Sequence, residues 1–336
     1  MNVFEKRLLG GSDVAVTPVI FGAWAVGGWM WGGNDEAESI AAIRASIDHG
    51  VTTIDTAAVY GQGYGEEVVG KAIQGLRDRV QIATKGGMTW DLEGGSDPWS
   101  TQDRDGKDIL IRRNSSPSTL PIECERSLKR LGVDVIDLYQ IHWPDTTTAV
   151  EDSMAALVKL KDQGKIRAIG VSNYDAEWVR RAAAVAPVAS LQPPYSLIQR
   201  KIEKEILPTC RELNIGVIVY SPMERGLLTG SVPADRVFPP GDHRAGHKFF
   251  KPENRKRVND SLDLIRPIAE QRGVSLAQLV INWTIQVPGI TAALVGARNA
   301  EQAEHNAKAL AFKLSPEECA EIRQAFDDTS AALMAS

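Results

Sequence analysis

Eight short apolar runs, each followed by a stretch with helical spacing, constrain this chain more than any other feature. They fall at 19–22, 52–55, 80–84, 135–141, 166–171, 189–192, 215–220 and 291–295. The runs are not strictly alternating, as expected for strands buried on both faces of a parallel sheet. Helices are expected near 36–49, 66–75, 117–131, 149–163, 175–184, 200–213, 254–272, 275–286, 299–308 and 315–327, with Gly50, Gly132 and Gly164 as stops. Eight βα units that close on themselves predict the α/β class, a (β/α)8 TIM barrel. An N-terminal β-hairpin cap is expected around Gly10-Gly11-Ser12-Asp13, and extra helices at the C-terminus. No linker or shift in composition divides the 336 residues, so one domain over 1–336 is expected. Segments 86–116 and 224–252 read as long loops after the third and seventh strands, and such loops usually shape a substrate site.

Three of the runs end in a titratable group. Thr53-Ile54-Asp55 ends in a carboxylate, with Tyr60 five residues on; Val80-Gln81-Ile82-Ala83-Thr84 leads to Lys85; Ile136-Asp137-Leu138-Tyr139-Gln140-Ile141 leads to His142. A buried strand that ends in an acid calls for a use of that charge. In a parallel barrel the C-terminal strand ends are the face where chemistry sits. Singly, each residue has an ordinary reading as a turn cap, a half-buried ring, a solvated amine or a core histidine. Together they point to one site.

Other readings are weaker. Gly61, Gly63 and Gly65 follow a strand and precede a helix, but the third glycine comes one residue early for a dinucleotide fingerprint. His243, His247 and Asp242 lie in a Pro- and Gly-rich stretch read as a polar loop, so no metal site is expected. A net charge of -5 gives no sign of a nucleic-acid or membrane surface. No apolar run approaches the roughly 20 residues of a membrane span. Cys124, Cys210 and Cys319 are scattered and odd in number, and the first residues carry no apolar leader, so a cytoplasmic protein is the expectation.

On these residues the chain resembles the aldo-keto reductase family. The resemblance rests on Asp55/Tyr60, Lys85, Gln140-Ile141-His142-Trp143-Pro144-Asp145, Gly170-Val171-Ser172-Asn173, Gln192 and the run from Tyr220 to Gly230. The Gly27-Gly28-Trp29-Met30-Trp31-Gly32-Gly33 loop and the Gly226-Leu227-Leu228-Thr229-Gly230 run look most like the bacterial branch of general-stress and inositol-dehydrogenase-like reductases. The resemblance implies a barrel that holds an extended nicotinamide dinucleotide without a Rossmann domain. It implies Tyr60 as general acid, surrounded by Asp55, Lys85 and His142. It also implies Ser172, Asn173 and Gln192 on the carboxamide and Tyr220 stacked on the nicotinamide. Ser221, Met223, Arg225 and Leu227 would lie along the pyrophosphate. Gly296, Arg298, Gln302 and Asn306 would hold the adenosine end, with Arg244, and the main chain of Ala23 and Trp24 would touch the cofactor. Trp24, Trp31 and Trp143 would wall the substrate pocket beside Tyr60 and His142. The chain departs from the branch at His305, where Glu is frequent, and at Ser231, where some relatives carry Lys. Gly296 stands where other branches place a phosphate-gripping lysine. Arg298 can still meet a 2′-phosphate bidentately, so NADP(H) is favoured, with NAD(H) as the alternative.

The resemblance implies hydride transfer between the cofactor and an aldehyde, a ketone (a sugar among them) or the matching alcohol or polyol. A phenol with a pKa of about 10 is a poor proton donor near neutrality. A lysine charge about 4 Å away, worth up to roughly 4 kcal/mol at an effective dielectric of about 20, is expected to lower it, with Asp55 a partial offset that also holds the lysine charged and in place. His142, neutral, is expected to donate to the carbonyl oxygen. Two competing readings are a cofactor-binding sensor or regulatory subunit with little turnover, and a metal-assisted barrel hydrolase. The complete set of four groups speaks against the first. The lack of a His-x-His pair after the first strand speaks against the second.

Overall fold

The computed structural model describes residues 3–31, 33–238, 242 and 244–335. The expectation for His243, and part of the Gly27–Gly33 loop (Gly32), therefore lie outside the described residues. Eight parallel strands close a barrel: β1 Val19–Gly22, β2 Thr53–Asp55, β3 Gln81–Gly86, β4 Ile136–Ile141, β5 Ile166–Ser172, β6 Ser190–Gln192, β7 Gly216–Val219 and β8 Ala292–Val295. Each strand pairs with its sequence neighbours, and β8 returns to β1. The TIM barrel expected from the eight runs is what the chain forms.

The strands work because they have two apolar faces. Ile20, Ala83, Leu138, Ala168, Ile218, Ala292 and Leu294 fill the interior. Phe21, Ile54, Ile82, Val217, Val219 and Val295 face outward onto the helices. Small residues alternate with large ones inside, as the narrow interior of an eight-stranded barrel requires.

The surrounding helices start and stop where local chemistry tells them to. Helix α1 (Glu36–Asp48) begins at Asp35, whose side chain accepts from the Glu38 amide at 2.9 Å. The others are α2 Tyr64–Ile73, α3 Thr119–Leu131, α4 Val150–Asp162, α5 Ala176–Val185, α6 Ile206–Glu212, α7 Pro252–Arg272, α8 Leu276–Gln286, α9 Ala300–Ala307, α10 Pro316–Ala325 and α11 Asp327–Ala335. Helix α3 stops at Gly132, which takes the left-handed conformation there. Helices α8 and α10 each open with a capping box, Ser275 with Gln278 and Ser315 with Glu318.

The expected hairpin is present: Arg7–Leu8 pairs antiparallel with Ala15–Val16. It closes the N-terminal end of the barrel, where Leu9, Val14 and Val16 join the interior cluster. Gly10 is needed in this plug. Its φ is +51°, and a Cβ there would lie 2.3 Å from the Asn214 carbonyl oxygen.

Segment 86–116 is not the loop expected. It folds into an antiparallel sheet of Met88–Thr89, Asp108–Arg113 and Ser96–Gln102, in that spatial order. Asp103 closes the turn by accepting from the amides of Asp105 and Lys107, both at 2.9 Å. The outward face is polar and Pro98 interrupts one strand, which gives the stretch a loop-like composition. Segment 224–252 holds 3-10 turns at Glu224–Thr229 and Lys248–Phe250. The expected helix at 200–213 is a 3-10 turn, Lys201–Glu203, followed by the short α6.

Candidate active site

Period-2 alternation carries the interior face of each strand upward into a polar layer. Ala83 and Leu138 are register partners inside the barrel. Two residues later, Lys85 and Gln140 are partners on the same face. Gly170 pairs with Gln140 and with Ser190, and Ser172 pairs with Gln192. A Cβ on Gly170 would sit 2.4 Å from Ser190 Oγ and 2.8 Å from Gln140 Cγ. The glycine makes room for the polar layer.

Asp55 and Lys85 are buried at the centre of this layer, each 1% exposed. Lys85 Nζ donates to Asp55 Oδ1 at 2.5 Å, to the Thr56 carbonyl at 2.9 Å and to Tyr60 Oη at 3.3 Å. Asp55 Oδ2 accepts from Gln192 Nε2 at 2.8 Å and from Gln140 Nε2 at 3.3 Å. A buried ion pair is tolerable only when the remaining lone pairs and protons are satisfied in this way. Tyr60 rides on the turn after β2, fixed by its amide to the Ala57 carbonyl and by its own carbonyl to the Gly65 amide. Its ring meets that of His142 edge to face at 5.8 Å and tilts against Trp24 at 6.4 Å. The four groups expected at one barrel mouth do come together there.

The electrostatics correct one expectation. Burial raises the Tyr60 phenol above its ordinary value; Lys85 pulls it down but does not prevail, and Asp55 adds to the rise. The phenol is a neutral O–H, not the lowered acid anticipated from Lys85 with Asp55 as a partial offset. Burial opposes the charge on Lys85, yet Asp55 and Tyr60 hold its pKa above the usual lysine value. His142 is pushed well below the ordinary histidine value by burial, then by Lys85 and Arg113. It is neutral, as expected, and its Nδ1 is buried with no partner among the described residues.

Around this centre lie the residues expected to hold a cofactor. Ser172 Oγ donates to the Gln192 carbonyl at 2.8 Å, Asn173 Nδ2 donates to the His142 carbonyl at 3.0 Å, and Tyr220 Oη donates to Asn173 Oδ1 at 2.8 Å. Gln192 spends its amide on Asp55, so in this arrangement it braces the carboxylate. Past β7 the backbone turns left-handed at Ser221 (φ +57°), Glu224 (+45°) and Arg225 (+55°). Such non-glycine strain collects at ligand sites. Met223 is half-buried, and Leu227 is a core residue that can offer only main chain. Arg225 Nε and Nη1 are buried without partners among the described residues. Arg244 pairs with Asp242 at 2.6 Å, reaches the Arg225 carbonyl at 3.5 Å and lies 5.9 Å from the Trp31 ring. Trp31 in turn meets Trp24 edge-on at 5.3 Å.

A second group sits at the end of β8. Arg298 is exposed, its amide donates to Gln302 Oε1 at 2.9 Å and its guanidinium to the Gly33 carbonyl at 3.1 Å. Asn306 Nδ2 donates to the Gly296 carbonyl at 3.1 Å. Asn299 caps α9 by accepting from the Gln302 amide. Ala23 lies between the two groups, its amide bonded to the Asp55 carbonyl at 2.8 Å.

The sequence reading quoted Gln140 only as part of a motif and gave it no role, yet it ties Asp55 to Gln192 and Ser190. Counting back two residues from His142 along an interior strand face would have found it. It also missed the roof formed by the extra sheet, where Ile109, Ile111, Trp99 and Trp29 pack with Tyr60 and Trp143 over Ala57 and Val59. An open groove between α2 and α3 on the outer wall is not part of this site. Its Lys71, Arg77, Arg126 and Arg130 are already paired with Glu36, Asp137, Asp91 and Glu66.

Among the described residues no group of three or more His, Cys, Asp or Glu could hold a metal ion, and no helix is long and apolar enough to cross a membrane. Residues 18–327 match the aldo/keto reductase family. The NADH-specific methylglyoxal reductase of Escherichia coli is 36% identical over 326 residues, 95% of this chain and 98% of that protein. A glycerol dehydrogenase structure from Gluconobacter oxydans superposes with a TM-score of 0.85 at 37% identity, covering 98% of this chain and 96% of the other. An aldo/keto reductase from Klebsiella pneumoniae, crystallised with NADP and acetate, gives 0.70 at 32% identity, covering 96% and 95%.

Proposed function

The chain belongs to the aldo/keto reductase family of NAD(P)H-dependent oxidoreductases, and we propose that Tyr60 is its proton donor and acceptor in the interconversion of a small carbonyl compound and its alcohol. The observation that carries this reading is the Tyr60 hydroxyl 3.3 Å from a buried Lys85 that Asp55 keeps charged. Barrel, hairpin and C-terminal helices are read as one functional unit over 1–336.

The cradle suits a dinucleotide. The orphaned nitrogens of Arg225 and the left-handed turns at 221–225 suit an anionic pyrophosphate. Asn173, Ser172 and Tyr220 would hold the nicotinamide end. Arg298, Gln302, Asn306 and the Gly296 main chain would hold the adenosine end, with Arg244 beside them. The exposed Arg298 guanidinium favours NADP(H) through a 2′-phosphate; NAD(H) is the alternative, as the E. coli relative's name illustrates. The bound cofactor supplies or takes the hydride.

The protein's own groups handle the proton. A neutral Tyr60 can give its proton to a carbonyl oxygen as negative charge develops there, and the nearby Lys85 charge stabilises the phenolate left behind. In oxidation the same atoms run in reverse. Asp55 holds Lys85 in place and charged. The neutral His142 ring, edge-on to Tyr60, is suited to donate a hydrogen bond to the substrate oxygen. Trp24, Trp31 and Trp143 give the pocket apolar, water-excluding walls.

A panel of aldehydes, keto-sugars and polyols with both nicotinamides, run on the native protein and Tyr60→Phe, tests the reading. We expect the variant to bind NADPH normally and to lose about two to four orders of magnitude in turnover. Wild-type turnover in that variant would refute the role of Tyr60. Tight cofactor binding with no turnover on any compound would favour a sensor instead.

A further inference from the structure

The roof of the pocket carries a cation that the proton-transfer chemistry does not use. Arg113 ends the central strand of the extra sheet, in register with Met88 on one side and Ser96 on the other. Alternate residues of a strand share a face. Ile109 and Ile111, four and two residues earlier, pack into the cluster with Tyr60 and Trp143. Arg113 therefore extends that apolar stripe towards the pocket. Its guanidinium lies 4.6 Å from the ring centroid of Trp143, the residue after His142. Its charge is felt at the site, since Arg113 is one of the groups that disfavour protonation of His142.

The pairing of this cation is one-sided. Nη1 donates to Asp97 Oδ2 at 2.6 Å, and Asp97 is half in solvent, with 53% of its side chain exposed. Asp97 holds φ at +46°, a conformation uncommon for a residue with a side chain, next to the left-handed Gly94 and Gly95. Nε is buried and finds no hydrogen-bond partner among the described residues. A buried donor left without a partner costs free energy, and a ligand that satisfies it recovers that cost.

We propose that Arg113 forms a subsite for a carboxylate carried by the substrate, so that the preferred carbonyl compounds bear an anionic group beyond Trp143 from the reacting carbon. The arrangement has what such a subsite needs. The guanidinium lies 4.6 Å from an aromatic ring, is anchored by Asp97, and keeps one donor, Nε, without a partner among the described residues. A planar, fixed fork binds carboxylate better than a flexible ammonium does. The proposal names the substrate class for the reaction assigned to Tyr60 and rests on that assignment.

The test uses benzaldehyde and 4-carboxybenzaldehyde with NADPH, and titration of the NADPH-loaded protein with benzoate and with benzyl alcohol. The native protein should prefer the carboxylated aldehyde in kcat/KM and bind benzoate more tightly than benzyl alcohol. Arg113→Gln should erase about tenfold or more of that preference, the size expected for a charge-assisted hydrogen bond. Arg113→Lys should restore part of it. If Arg113 only props the sheet, both variants will lower both aldehydes alike and leave benzoate binding where it was, which overturns the proposal. Benzoate binding that depends on Arg113, with neither aldehyde reduced, would keep the subsite and favour the sensor reading over the reductase reading instead.

Discussion

The two mouths of the barrel are built from the same eight strands and differ in almost everything else. At the N-terminal mouth the hairpin drives Leu9, Val14 and Val16 into the interior, and all three are at most 1% exposed. At the C-terminal mouth, two residues beyond the interior Ala83 and Leu138, stand Lys85 and Gln140, with Asp55 and Gln192. The first mouth is closed by burial, which is non-directional and tolerant of shape. The second is closed by hydrogen bonds, every one of which needs its partner. The first should therefore govern stability alone, and the second stability and chemistry together.

The sharpest way to break this comparison is Lys85→Met. It leaves Asp55 buried without its cation, at a cost of about 3–5 kcal/mol, and removes the charge proposed to stabilise a Tyr60 phenolate. Carbonyl reduction should fall by at least about 10³-fold and the unfolding midpoint should drop sharply, measured by steady-state kinetics and denaturant titration. At the other mouth, Leu9→Ala should cost about 2–5 kcal/mol through a cavity in the plug. Its kcat should stay at the native value at a temperature where the variant is folded. A large loss of kcat there would mean the two mouths are coupled.

Gly170→Ala probes the polar layer by shape instead of charge. The added methyl meets Ser190 Oγ and Gln140, so about 1–3 kcal/mol of overpacking is expected, and, unlike Leu9→Ala, a measurable fall in kcat.

The smallest effect is with pH. His142 is held neutral in the fold, its pKa well below that of the unfolded chain. Below about pH 6.5 only the unfolded state gains a proton at this position, so its contribution to stability is full above that pH and is lost as pH falls. His142→Gln should flatten the stability curve between pH 7 and 5. In the same range the native kcat/KM should show no histidine inflection near 6.5.

How much of this was legible depended on which signal each part carried. The barrel strands were readable because runs such as 80–84 and 135–141 are continuously apolar and bounded by turn residues. The four-residue cluster proposed as catalytic was readable because Asp55, Lys85 and His142 stand at equivalent places at the ends of those runs. The extra sheet was not, because its outer face is polar and Asp97, Pro98 and Gly106 read as loop residues. Its inner stripe of Ile109 and Ile111 was the available cue. Gln140 was hidden between two hydrophobic neighbours that draw the eye to His142. The protonation of Tyr60 was not legible at all. Lys85 is visible in the sequence, but the burial that outweighs it depends on how the ring packs against Trp24, His142 and the roof.

One structure would test the central claim most directly: the complex with NADPH and an unreactive carbonyl-bearing inhibitor. The account predicts the nicotinamide against Tyr220 and the inhibitor's carbonyl oxygen within hydrogen-bond reach, about 2.6–3.2 Å, of both Tyr60 Oη and a His142 ring nitrogen. A dinucleotide lodged away from the C-terminal mouth, or a carbonyl oxygen turned away from Tyr60, would contradict it.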